Sequence, residues 1–107
     1  MAITNTRITS ATTPTTVFTA SGQQAITVLY LCNTNTSINA NVSVFCIDNS
    51  TSSGAGEDNC IYSQLAINAG DTYVMDLEKL ILDNLDEIEV ESSVANVITV
   101  TVSSIAV

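Results

Sequence analysis

Asn96-Val97-Ile98-Thr99-Val100-Thr101-Val102-Ser103 decides how this chain is read. Ile98, Val100 and Val102 share one face of an extended segment, and Thr99, Thr101 and Ser103 share the other, the period of two imposed by a strand with one dry side. Just upstream, Ile88 and Val90 alternate with Glu87, Glu89 and Glu91, which predicts a second strand with one apolar side and one carboxylate side in water. Further runs of the same kind lie at 17–20, 25–32, 41–48, 60–68 and 72–77, separated by clusters of Asn, Ser, Gly and Asp. Gly70-Asp71 reads as a turn, because glycine supplies the positive φ that many turns need. Leu77, Leu80, Ile81, Leu85 and Ile88 also fit helical spacing, but Leu80 and Leu82 fit a short strand, and the reading favours a strand with a corner at Asp83 to Asp86. Seven or eight short strands with no internal repeat predict an all-β protein, an antiparallel β-sandwich of immunoglobulin-like or jelly-roll type.

At 107 residues the chain makes one domain, and by size scaling it buries roughly 65% of its unfolded surface, enough for a core without staples. Hydrophobic residues are 46% of it and mean hydropathy is +0.35, which argues against disorder. Eleven carboxylates face only two cations, Arg7 and Lys79, for a formal net charge of −9, and histidine is absent. A phosphate backbone must be met by several Lys or Arg, so nucleic acid is excluded as a partner, as are anionic lipids. General acid–base work falls most often to histidine, and the many serines and threonines have no base to activate them. The carboxylates at Asp83, Asp86 and Glu87 and at Glu57 and Asp58 lack the spacing of a calcium loop, and no cleft for a paired-carboxylate glycosidase is evident. The expectation is a protein that is not an enzyme and holds no cofactor or metal.

The three cysteines, Cys32, Cys46 and Cys60, read as small buried apolar side chains in a reducing compartment. A Cys46–Cys60 bridge is the alternative and would contribute about 3 kcal/mol. The opening Met1-Ala2-Ile3-Thr4-Asn5-Thr6-Arg7 has no apolar run after a basic region, and no stretch reaches the roughly 18 apolar residues of a membrane span. Those two features predict a soluble protein that is neither exported by a signal peptide nor seated in a membrane. The three Asn-x-Ser/Thr matches at Asn35, Asn41 and Asn49 are then chance products of a Thr/Ser/Asn-rich chain.

Two features point to protein partners. Residues 1–16 are Thr-rich, contain Pro14 and lack a continuous apolar face, so they read as an extended arm outside a sandwich formed by 17–107, or as a disordered terminus. On the arm reading, a chain lacking Ala2 to Thr16 keeps its sandwich. In addition, Val28-Leu29-Tyr30-Leu31-Cys32 and Val44-Phe45-Cys46-Ile47 are apolar on both faces, so Leu29, Leu31, Phe45 and Ile47 are candidate protein-contact residues unless loops or the arm cover them.

The order of these features resembles the small β-sandwich virion proteins of tailed bacteriophages. The resemblance runs through the Thr-rich start, Ala25-Ile26-Thr27-Val28-Leu29-Tyr30-Leu31 with Asn33, and Leu65-Ala66-Ile67-Asn68-Ala69-Gly70-Asp71. It continues through Leu80-Ile81-Leu82, Asp86-Glu87-Ile88-Glu89-Val90 and Val100-Thr101-Val102-Ser103. In similar sequences a glycine precedes the Asp that opens the penultimate strand; here Leu85 stands there. The resemblance implies a non-enzymatic structural protein of the virion, made in the host cytoplasm. It would be a capsid decoration protein, or a neck or tail component, with the major capsid protein or other virion proteins as partners and as a homo-oligomer. The alternative is a carbohydrate-binding or adhesion module on a similar fold, whose mark would be exposed aromatics, and three Tyr and two Phe without Trp supply few.

Overall fold

The computed structural model describes residues 2–51, 54–76 and 80–107. Among them are nine strands: β1 Ala2–Arg7, β2 Thr15–Thr19, β3 Gln24–Asn33, β4 Ala40–Ile47, β5 Cys60–Ile67, β6 Thr72–Met75, β7 Leu80–Leu82, β8 Glu87–Ser92 and β9 Ile98–Ala106, with one 3-10 turn at Glu57–Asn59. They form two antiparallel sheets packed as a sandwich. One has the order β1-β9-β3-β6 with β7 also on β3, and the other has the order β2-β8-β4-β5.

The pairing is nested. β4 and β5 form a hairpin in mid-chain, β3 pairs with β6 and β7, β2 with β8, and β1 with β9. The chain is therefore one long hairpin rolled into two sheets, the connectivity of a jelly roll and not of an immunoglobulin domain. The strand count exceeds the expected eight because β6 lies along Leu29 to Cys32 and β7 along Gln24 to Ile26 of the same strand, two pieces of one jelly-roll strand.

Alternation places the core as physical chemistry requires. Ile98, Val100 and Val102 of β9, with Leu29 and Leu31 of β3, face Val42 and Val44 of β4 and Ile88 and Val90 of β8, all buried. Each such side chain contributes about 1.5–3 kcal/mol on leaving water. The corner at Asp83 to Asp86 is present: the Asp86 N–H donates to the Asp83 carbonyl at 3.0 Å and the Asp86 carboxylate accepts the Asp83 N–H at 2.9 Å. Leu85 there has φ 73. At the predicted turn, Gly70 has φ 80 and the Asp71 N–H reaches the Asn68 carbonyl at 3.0 Å. The start of the helix-or-strand ambiguity, 77–79, lies outside the described residues, as do Ser52 and Ser53 of the polar 50–59 loop.

The arm expectation is corrected. Residues 2–7 are extended, but they pair along their whole length with β9 of the same chain. Ile8 is fully buried, Ala11 bridges Ser92, and Thr15 and Thr16 already belong to β2. Backbone hydrogen bonds, which no side-chain pattern reports, hold this Thr-rich segment in the sandwich.

Candidate interaction surface

The four candidate contact residues are not on the surface. Leu29 and Leu31 point into the core. Phe45 and Ile47 lie on the opposite side of β4 from Val42 and Val44, the outer face of the four-stranded sheet, yet they are only 8% and 4% exposed. Phe45 sits among the lining residues of a groove of about 560 Å³, with Pro14, Gly56, Ile61, Gln64 and Glu91 around it. Loop and neighbouring strand residues thus flank Phe45, and both outward apolar residues are buried, one of the two outcomes the sequence allows.

The exposed apolar surface lies elsewhere. Register fixes which residues share the outer face of the five-stranded sheet: Ile3 aligns with Ser103, Ser103 with Val28, Thr101 with Tyr30, Tyr30 with Val74, and Ala25 with both Ile105 and Ile81. Ile3, Tyr30, Val74, Ile81 and Ile105 are between 40% and 65% exposed, and they are five of the nine exposed large hydrophobic residues. The five strands carry no carboxylate, and their one cation is Arg7, whose guanidinium donates to the Asn96 carbonyl at 2.7 Å.

The opposite face is acidic. Glu87, Glu89 and Glu91 project outward from β8 while Ile88 and Val90 turn in. Burial pushes the Glu89 carboxyl up, and the neighbouring Glu87 adds to the shift, opposed by the Thr16 hydroxyl, which donates to Oε2 at 3.4 Å. At the rim of the same sheet, Asp48 accepts from the Ser50 hydroxyl and N–H at 2.8 and 3.0 Å, which holds its carboxyl below the usual range.

Cys32, Cys46 and Cys60 are free and half-buried, and burial, with the Asp86 carboxylate nearby, pushes the Cys46 thiol up and away from the nucleophilic thiolate. Among the described residues no three His, Cys, Asp or Glu side chains gather as metal ligands, and no helix is long and apolar enough to cross a membrane. Asn33, quoted above for its sequence context, has a structural task. It is buried, its Nδ2 donates to the Ile38 and Ile67 carbonyls at 2.9 and 3.0 Å, and its Oδ1 accepts the Asn35 N–H at 3.0 Å.

Compared with protein-family models, curated proteins and solved structures, the chain matches none.

Proposed function

We propose that this chain is a non-enzymatic structural protein of a virus particle, of the kind that decorates and stabilises the head of a tailed phage. It would be seated on the major capsid protein or another virion protein. The observation that carries the reading is the two-sidedness of the sandwich: one sheet presents apolar and hydroxyl side chains with no carboxylate, the other presents Glu87, Glu89 and Glu91. A protein bound by the first sheet covers exposed Ile3, Tyr30, Val74, Ile81 and Ile105 and turns its charge to solvent. Covering a half-exposed side chain contributes roughly 1 kcal/mol, small singly but sufficient when many copies sit on one lattice.

A jelly roll serves both capsid and lectin domains, so the fold alone does not choose between a virion component and a sugar-binding module. Surface chemistry favours the former. Tyr30 is the one exposed aromatic residue, and the aromatic ring in the groove, Phe45, is buried and offers no stacking face. The test is sedimentation of the purified full-length protein with particles that lack it. Co-sedimentation is expected, reduced about tenfold or more by Val74→Asp with Ile81→Asp, each of which buries a charge against the lattice. A protein that binds no particle, or binds unchanged with both substitutions, overturns the reading.

A further inference from the structure

Every open sheet ends in two edge strands whose outward N–H and C=O groups are templates for another strand, and natural proteins interrupt such edges. Three of the four edges here are interrupted. β2 carries a register shift between Thr16 and Phe18, and β5 carries two shifts against β4 with Gln64 at φ 54. The far edge of the five-stranded sheet is divided between β6 and β7. β1 differs. Its six residues pair with β9 without a shift, contain no Pro, Gly or Lys, and have no strand on their other side among the described residues.

The free edge has a definite pattern. The Ile8 N–H donates to the Ile98 carbonyl at 2.9 Å and the Ile8 carbonyl accepts the Asn96 N–H at 2.9 Å, so the backbone of residue 8 turns toward the β9 side. Antiparallel strands alternate, so Ala2, Thr4 and Thr6 also turn to β9, and Ile3, Asn5 and Arg7 turn their N–H and C=O groups outward.

We propose that β1 is a dimer edge, on which β1 of a second copy pairs antiparallel about a two-fold axis through Asn5. In that register Asn5 meets Asn5 of the second copy and Ile3 meets Arg7 of the second copy, giving about six backbone hydrogen bonds, two for each of three facing pairs. Shifting toward the C-terminal end sets Arg7 against Arg7, and shifting the other way loses bonds. A second copy fits this edge for an electrostatic reason. Two chains of net charge −9 repel one another, but neither β1 nor its neighbour β9 carries a carboxylate, whereas β8 beside β2, Glu57 and Asp58 beside β5, and Asp71 and Asp76 around β6 place charge at the other edges. Isologous pairing also keeps both apolar sheet faces on one side. Ile3 then packs on the aliphatic stem of the other copy's Arg7.

The experiment is sedimentation velocity on the purified full-length protein across a concentration series, without particles, so its outcome is separate from that of the virion reading. The wild-type chain is expected to sediment as a dimer. Asn5→Pro removes an outward N–H and no backbone bond to β9, at the loss of one exposed side-chain bond from Thr101, and it should yield a folded monomer. Asn5→Asp keeps an oxygen to accept the Thr101 hydroxyl, which donates to Asn5 Oδ1 at 2.8 Å, and sets two carboxylates face to face, raising the dimer dissociation constant roughly tenfold at low salt and less at high salt. A monomeric wild type, or a dimer that survives both substitutions, overturns the proposal. Should Asn5→Pro not fold, Asn5→Asp still decides it.

Discussion

Leu85 holds a left-handed backbone, φ 73, with a half-exposed side chain. That conformation costs a residue with a Cβ about 1–2 kcal/mol, and glycine adopts it freely. The turn tolerates it because the Leu85 N–H donates to the Ala20 carbonyl at 2.9 Å and Asp86 ties the corner to Asp83 and, through its Oδ1, to the Asn49 N–H. Leu85→Gly keeps those bonds and releases the strain, offset in part by the greater freedom of glycine in the unfolded chain, so unfolding free energy should rise by about 1 kcal/mol. Urea denaturation measures it, and a lowered midpoint would show that Leu85 packing outweighs the strain. At this scale the sequence was legible in part. The corner at Asp83 to Asp86 was readable from its polar cluster, but nothing in a leucine announces a positive φ. Likewise, Ser104 turns inward and its hydroxyl has no partner among the described residues, which a run of Ser103-Ser104 does not disclose.

Along β8 the alternation sorts side chains into a core face and a face of three carboxylates, two residues apart. Glu89, in the middle, is protonated more readily in the folded protein than in the unfolded one. A carboxyl with a raised folded-state pKa favours folding below its unfolded pKa, and that contribution is lost as pH rises through the raised value. At neutral pH, Glu89 therefore opposes folding. Glu89→Gln should raise the urea midpoint at pH 7, by less than about 1 kcal/mol because the group is partly solvated, and the gain should vanish below the ordinary carboxylate range. An equal gain at both pH values would trace it to packing instead. β8 and β9 were legible because each has one wet face, so period and sign agree. β3 and β4 were legible only in extent. A period of two says which residues share a face but not which face is buried, and with apolar residues on both faces Leu29, Leu31, Phe45 and Ile47 could be sorted only by the fold. The surface that is exposed draws one large apolar residue from each of five strands, so no local run reveals it; the want of carboxylates in all five is the one signal that could have.

For the whole molecule, nested pairing joins the first strand to the last and makes the sandwich one cooperative unit. A chain lacking residues 2–16 loses β1, buried Ile8 and the first half of β2. Removal of a buried isoleucine side chain alone costs about 2–5 kcal/mol, so the truncated protein should melt far below the full chain or fail to fold. Unchanged thermal unfolding would restore the picture of a free arm. The same nesting has a practical side. Ala2 stands opposite Ser104 across one ladder, while the β4–β5 connection lies at the far turn of the rolled hairpin. Peptides fused at either terminus would emerge from a single corner, and a short linker could join the two termini and let the chain be reopened between β4 and β5. Asp86 holds the start of that connection at the same end of the sandwich through the Asn49 N–H, so the point of display would move from the five-stranded sheet to the four-stranded one without re-pairing a strand.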